Sequence, residues 1–342
     1  MISKNSNIST IKDVAEKAGV STTTVSHVIN KTRFVSDDLA KRVGDAVREL
    51  DYQPSGLARS LRTKASGTIG IVIPDSTNPF FAEVVRGIED YCYEHGYSVF
   101  LCNSDGAPDK EYHHLKLLRE KGVDGFVLVS AGDDRESLEL LDKGKIPKVI
   151  IDRQVESINT DSVLIDNFKG GYMATIHLLE LGHTRIGCIT GPSQVTPSGQ
   201  RLEGFNQALL EHGIVIDDEM VVTGDFRSKS GGECLRRLMQ AKEPPTAVFA
   251  CNDIMAIGAL AAARDLGYEV PDQLSIVGFD NIDMASLVIP KLTTIAQPTH
   301  ELGETAAKLL LQRILKGTHK EDVRIILEPT LVIRDSSAPH KI

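Results

Sequence analysis

Thr22, Thr23, Ser26, His27 and Asn30 fall within nine residues, interleaved with Val25, Val28 and Ile29 at helical spacing. Short hydroxyl, imidazole and carboxamide groups on one helix face can reach base edges or phosphates in a DNA groove. A helical hairpin at the edge of a larger core, the bland alternative, has no use for so many short polar groups there. DNA reading is therefore the chemistry this stretch suggests.

The flanking residues supply what would hold that face in place. Ile11, Val14, Ala15 and Ala18 recur at i, i+3, i+4 and i+7, one apolar stripe of a first helix. Thr10 and Asp13 have capping-box spacing, with Asp where Glu or Gln is usual. Gly19 follows the last apolar position, where a helix stops in the left-handed conformation. Ser21 then caps the second helix. Two helices around a short glycine turn read as helix-turn-helix. Ser36, followed by Asp37 and Asp38, opens a third helix that carries Leu39, Val43, Ala46, Val47 and Leu50, with Tyr52 at the edge of the small core. The segment 54–62, PSGLARSLR, starts with a proline suited to a first helical turn, but Gly56 costs about 1 kcal/mol relative to Ala. So short a helix is marginal alone and needs something to hold it. Residues 63–68 read as a polar linker.

Composition sets bounds. A chain of 342 residues with 41% apolar and 25% charged residues allows two or three globular domains and a sizeable core. The formal charge is −9, but residues 1–65 carry +4 and the remainder −13. That split fits a basic arm for nucleic acid on an acidic body. Five cysteines without C-x-x-C spacing suit a reducing, cytoplasmic setting with buried thiols. The first ten residues hold no apolar segment of a signal peptide, and no run approaches the length of a membrane span.

From Ile69 the pattern changes to β-branched runs alternating with helical stretches. Strands are expected at 69–73, 97–102, 126–129, 148–152, 185–190, 247–251 and 274–279. Helices are expected near 80–95, 110–121, 135–143, 168–181, 199–212, 229–241 and 253–266. A strand near 292–296, a helix near 299–316 and strands near 324–333 follow. This alternation predicts parallel sheets covered on both faces, in two lobes of similar build. Ligands of such folds sit beyond the carboxyl ends of the strands, so two facing lobes would make a cleft.

Enzymatic signatures do not emerge. There is no P-loop, no G-x-S-x-G elbow and no G-x-G-x-x-G after a strand. His113-His114 and the scattered acids lack a metal-ligand spacing and read as solvated helix surface. A free-standing sugar carrier is the other alternative; it would need export, and residues 10–62 would have no role in it.

Taken together, IKDVAEKAGVSTTTVSHVINKTRFVS, YQPSGLARSLR, IGIVIPDSTNPFFAEVVRGIE, RLEGF, NDIMAIGAL and VGFDN with LTTIAQP resemble the lac repressor family of bacterial transcription regulators, from Ile11 to about Arg334. The ribose-responsive branch is the nearest likeness and the purine-responsive branch a near second. The resemblance implies an all-α helix-turn-helix domain (1–53), a hinge helix and linker (54–66), and an α/β two-lobed body like the periplasmic binding proteins (67–337). In that body two Rossmann-like lobes would comprise about 67–165 with 293–328, and about 166–292 with 329–337. It also implies a homodimer, without the leucine-heptad tail of a tetramer, on a palindromic operator. By that likeness Thr22, Thr23 and His27 read bases, with Ser26 and Asn30 on the same face and Arg33 assisting. Leu57 packs the paired hinge helices. Leu61 wedges into the minor groove with Arg62 beside it, which would explain a segment too weak to be helical alone; a linker residue packing on the body is the other reading of Leu61.

The body resembles sugar-binding proteins, above all the ribose-binding one. That likeness places Asn78, Phe80, Phe81, Asp152, Arg153, Arg201, Phe226, Asn252, Phe279, Asp280 and Gln297 on an effector, with D-ribose expected and no cofactor or metal. Phenylalanine faces can sandwich a pyranose ring, and Asn, Asp, Arg and Gln can satisfy its hydroxyls. Each has a plainer reading: Asn78 as a helix cap, Phe80 or Phe81 as core, Asp152-Arg153 as a surface ion pair. In the purine-responsive relatives a basic residue that reads the base stands at the place of Val195, which favours the sugar. A purine co-repressor, another sugar or a phosphoprotein partner stay open.

Overall fold

The computed structural model describes residues 9–30, 32–52, 65–129, 136–137, 139–140, 146–153, 160–317 and 321–341. The chain divides into two compact units, Met1–Ser66 and Gly67–Ile342.

In the first unit α1 (Ile11–Ala18), α2 (Thr22–Asn30) and α3 (Asp37–Glu49) close around Val14, Ala15, Ala18, Val25, Val43 and Ala46. Tyr52 is half-buried against that core. The capping box forms: Thr10 N donates to Asp13 Oδ2 at 2.7 Å and Asp13 N to Thr10 Oγ1 at 3.4 Å. Gly19 ends α1 at φ +64°, and Arg42 of α3 donates from Nη2 to Ala18 O at 2.6 Å, pinning the turn. Ser21 Oγ accepts from Thr24 N at 3.1 Å and starts α2. Ser36 occupies the cap position of α3, but its side chain makes no capping bond, so Asp37 and Asp38 are left to complement the helix dipole.

The second unit holds two six-stranded sheets. The first runs β11 (Arg324–Leu327), β5 (Asp161–Ile165), β4 (Lys148–Ile151), β3 (Gly125–Leu128), β1 (Thr68–Ile73), β2 (Ser98–Asn103), parallel throughout. The second runs β12 (Thr330–Val332), β10 (Thr293–Ala296), β9 (Ser275–Asp280), β8 (Ala247–Ala250), β6 (Ile186–Thr190), β7 (Val221–Thr223), with β12 antiparallel to β10. Helices cover the sheets, so the central strands are buried on both faces, as their unbroken apolar runs require.

The helices are α4 (Pro79–Glu94), α5 (Pro108–Lys121), α6 (Asn167–Glu180), α7 (Thr196–Glu211), α8 (Ser228–Leu238), α9 (Asp253–Asp265) and α10 (Thr299–Lys316). Three pairs meet through reciprocal glycines: Gly87 with Gly303 (α4–α10), Gly171 with Gly204 (α6–α7) and Gly231 with Gly258 (α8–α9). A Cβ at any of these six would fall on backbone of the facing helix. The tight α6–α7 contact brings two pocket-bearing segments, 167 and 201, together.

One expectation is corrected. Residues 293–296 do not belong to the first lobe. Thr293 to Ala296 pair in register with Val277 to Asp280, so the chain returns to the first lobe only with α10. The strands expected near 324–333 fall on either side of the expected lobe boundary at 328, β11 in the first sheet and β12 in the second. Two strands went unread, β5 because it opens on Asp161-Ser162 and β7 because it has three residues. The expected helix 135–143 lies largely outside the described residues.

Candidate ligand cleft and nucleic-acid interface

Seven strand ends of the two sheets face one cavity of about 520 Å³. Its lining comes from just beyond the carboxyl ends of β1 (Pro74, Asp75), β4 (Asp152, Arg153), β6 (Pro192), β7 (Asp225, Phe226) and β8 (Asn252), and from the last residues of β2 (Asn103) and β9 (Asp280). This is where doubly wound sheets place ligands. Nine of the eleven expected effector residues line it: Asn78, Phe80, Phe81, Asp152, Arg153, Arg201, Phe226, Asn252 and Asp280. Phe279 and Gln297 do not. Both stand behind the lining and hold it.

Arg201 is the best-held side chain of the site, 4% exposed. Its Nε donates to Asn167 Oδ1 at 2.8 Å and its Nη1 to Cys251 O at 2.5 Å. The guanidinium lies 3.7 Å over the Phe279 ring, and Nη1 is 3.7 Å from Asp280 Oδ1. Phe279, fully buried, is thus the floor of Arg201 rather than a ligand face. Gln297 donates from Nε2 to Asp280 Oδ1 at 2.6 Å and fixes that carboxylate.

Asp152 is 7% exposed, and its Oδ1 has no hydrogen-bond partner among the described residues. A buried acceptor left unpaired is costly unless something else supplies a donor. Burial pushes the Asp152 and Asp280 carboxyls up, against the pull of Arg153 and Arg201 on the first and Arg201 on the second. Burial in turn pulls the Arg153 guanidinium down, opposed by Asp152 and Glu111.

Asn78 satisfies both of its readings. Its Oδ1 accepts from Phe80 N at 3.0 Å, capping α4, and it lines the cavity. Phe80 and Phe81 stand edge to face, ring centroids 5.0 Å apart, with only their margins open. Asn252 caps α9 through Met255 N and donates to Phe226 O at 3.1 Å, which steadies Phe226. Asp105, Asp152, Phe226 and Asp280 all line the cavity with positive φ, four of the six such non-glycine residues among those described. Backbone held in that region is characteristic of sites that aim side chains at a ligand.

Sequence reasoning missed Asn103, Asp105, Asp225, Arg227 and Gln194 in the lining, and Asn167 beneath it. The rule that ligands sit beyond strand ends would have found Asn103, at the end of β2. Asn167, the first residue of α6, shows its role only through the α6–α7 packing.

In the first unit Thr22 and Thr23 are exposed, and Ser26, His27 and Asn30 are half-buried. His27 Nδ1 is 2.9 Å from Thr32 Oγ1, and Asn30 Nδ2 donates to Ser26 O at 2.7 Å. Ser26 and Asn30 are tied to one another and so are less available to bases than the two threonines. Arg33 is exposed. Leu57, Leu61 and Arg62 lie outside the described residues.

The profile of bacterial regulatory proteins of the lacI family matches residues 10–55, and that of the periplasmic binding protein-like domain matches residues 175–337. The HTH-type transcriptional repressor PurR of Aliivibrio salmonicida is 44% identical over 330 residues, 96% of this chain and 99% of that one. The chain belongs to the LacI family. It is accordingly a DNA-binding transcriptional repressor and not an enzyme. Among solved LacI-family structures, the lac repressor dimer bound to operator and the anti-inducer ONPF is similar with a TM-score of 0.87 and 28% identity, covering 96% of this chain and 99% of that one. A LacI-family regulator from Enterococcus faecium with bound ribose is 39% identical, with a TM-score of 0.74, covering 80% of this chain and all of the other. Among the described residues no helix is long and apolar enough to cross a membrane.

Proposed function

We propose that this repressor binds a palindromic operator as a homodimer and is released from it when D-ribose occupies the cleft. The observation that carries the ligand is the pairing of acids with guanidiniums around the cavity, Asp152 with Arg153 and Asp280 with Arg201, beside the phenylalanines of its lining. Carboxylate and guanidinium side by side accept from and donate to the vicinal hydroxyls of a sugar, while Phe covers its C–H face. The unpaired Asp152 Oδ1 suits a hydroxyl donor. The E. faecium relative with bound ribose supports this reading.

A purine co-repressor is the second reading, and the name PurR borne by a relative 44% identical favours it over ribose. Against it stands Val195 in the cavity lining, where a basic residue is expected in purine-responsive members; Val has no donor for a purine carbonyl. The two readings differ in sign: ribose would lower operator affinity and a purine would raise it, by a coupling of about 1–3 kcal/mol in either case.

Calorimetric titration with D-ribose and, in parallel, hypoxanthine separates them. Ribose is expected to bind, and Asp152→Ala to weaken it roughly 10- to 100-fold, the loss of a hydrogen bond to a charged group. Binding of hypoxanthine alone would establish the co-repressor. Silence from both would reopen the effector to other sugars or a protein partner.

The operator is read by α2. Thr22→Ala is expected to weaken operator binding by about 1–3 kcal/mol while leaving affinity for unrelated DNA unchanged, measured by fluorescence anisotropy at fixed salt. An equal loss on both DNAs would reassign Thr22 to a phosphate. Dimerisation is supported by the edge strand β2, where Phe100 and Leu101 are 49% and 45% exposed, apolar area that a second copy would cover.

A further inference from the structure

His27 is held by a hydroxyl where two other helix-end histidines are held by a carbonyl. His95, just past α4, sets its Nδ1 2.8 Å from Tyr91 O, and His212, just past α7, sets its Nδ1 2.9 Å from Ala208 O. A carbonyl only accepts, so both of those rings carry a proton on Nδ1, and their Nε2 is an acceptor while the ring is neutral. His27 instead sets Nδ1 2.9 Å from Thr32 Oγ1, five residues on. Thr32 N also donates to His27 O at 3.3 Å, which turns the chain back at the end of α2 and keeps the hydroxyl within reach of the ring.

A hydroxyl can donate as well as accept. The imidazole nitrogen is far more basic than a hydroxyl oxygen and is the better acceptor of the two. In the neutral ring the Thr32 hydroxyl therefore donates to Nδ1, and the ring proton stays on Nε2. In the charged ring the roles at Nδ1 reverse, Thr32 Oγ1 accepts, and Nε2 still bears a proton. His27 Nε2 is thus a donor in both charge states. It makes no hydrogen bond to any of the described residues. Thr23, one turn back on the same face, is exposed, whereas Asn30 Nδ2 is bonded to Ser26 O and Oγ.

We propose that Thr32 is a positioning residue for operator reading: it fixes the His27 ring so that Nε2–H stands out as a lone donor, and the base this selects is guanine, through N7. The inference rests on the reading that α2 reads the operator. A lone N–H is matched by an edge that offers acceptors alone. In the major groove guanine shows N7 and O6 and no donor. Adenine sets its amino donor beside N7, thymine sets a methyl beside O4, and cytosine offers a donor. Thr32 itself needs no contact with DNA.

The test uses the full chain and an operator selected with it from random-sequence duplex DNA, with binding followed by fluorescence anisotropy at fixed salt. His27→Ala is expected to weaken operator binding roughly 10- to 100-fold, since a hydrogen bond is lost in each half-site of the palindrome. Thr32→Val, which keeps the shape and removes the hydroxyl, is expected to weaken it roughly 3- to 10-fold, and Thr32→Ser to keep wild-type affinity. In the His27→Ala background Thr32→Val should cost nothing further. Exchanging guanines one at a time for 7-deazaguanine, which lacks the N7 acceptor, should find one position per half-site that weakens the wild type and leaves His27→Ala unmoved. A loss in Thr32→Val that persists in the His27→Ala background, or no loss in Thr32→Val alone, overturns the role of Thr32. Sensitivity to 7-deazaadenine instead, or an equal loss on unrelated DNA, overturns the guanine contact. If no sequence is enriched, or His27→Ala binds as well as wild type, it is the reading of the operator through His27 that has failed. Long-range proton–nitrogen spectra of the histidine-labelled chain then judge the ring without DNA. In the neutral state His27 should show its proton on Nε2, with His95 and His212 showing theirs on Nδ1 as internal standards; a proton on His27 Nδ1 rejects the assignment to Thr32.

Discussion

Arg201→Met is expected to weaken effector binding by at least about a hundredfold and to lower stability by about 3–5 kcal/mol. Methionine keeps the packing of the stem and removes the charge. Without it the Asp280 carboxyl faces Asp253 and Asp152 with no guanidinium at hand, and Asn167 Oδ1 and Cys251 O each lose their donor. Those acceptors are buried and cannot turn to water. Much of the stability loss is thus the cost of an orphaned charge, not the worth of the pair. Adding Asp280→Asn to Arg201→Met should recover a large part of the stability and none of the binding, because the cleft still lacks its donor fork. Arg201→Lys should sit between: it keeps a charge but cannot hold Asn167, Cys251 and Asp280 at once. The checks are calorimetry for binding and urea unfolding for stability. A stable Arg201→Met protein with unaltered affinity would remove Arg201 from the site.

How far the chain could be read without coordinates depended on whether a role was local. The headpiece is local: Thr10 with Asp13, Gly19 and Ser21 are cap and turn chemistry within a few residues, and each forms as its spacing suggests. Asp152, Asn252 and Asp280 each follow or end an apolar run legible as a strand, whereas Phe226 follows the unread β7 and rests on the family resemblance. What was lost depended on partners far along the chain. Phe279 and Gln297 match ligand-contact motifs of the sugar-binding relatives, but Phe279 faces Arg201 and Gln297 faces Asp280. Asn167 and Asp253 escape local reading because Arg201 and Thr294, which they hold, lie 34 and 41 residues away. The lobe assignment of 293–296 failed for the same reason: a four-residue strand fits either sheet, and pairing with β9 decides it. The effector's identity divides along this line too. Over the whole chain the similarity is to a relative named PurR, while the proposed sugar effector rests on the few residues of the cavity.

Arg313→Met is expected to destabilise the body by about 3–5 kcal/mol in urea unfolding, as large an effect as any substitution outside the cleft. Arg313 of α10 grips Asp161 bidentately, Nε to Oδ2 at 2.6 Å and Nη2 to Oδ1 at 2.5 Å, with side chains 7% and 3% exposed. Asp161 opens β5 and also accepts from Val323 N at 2.8 Å, the residue that leads into β11. One carboxylate therefore holds α10, β5 and β11, the elements through which the chain passes between lobes. Losing the guanidinium leaves that carboxylate buried with a single backbone donor. Asp161→Leu with Arg313→Met removes both charges and fills the space with apolar atoms, so it should recover most of the loss, since a buried ion pair is costly mainly when halved. Effector binding should survive in Arg313→Met, because no residue of the pair lines the cavity. Loss of binding in a folded Arg313→Met protein would mean that the crossings carry the effector's signal, and that the lobes are coupled through α10 rather than through the cleft alone.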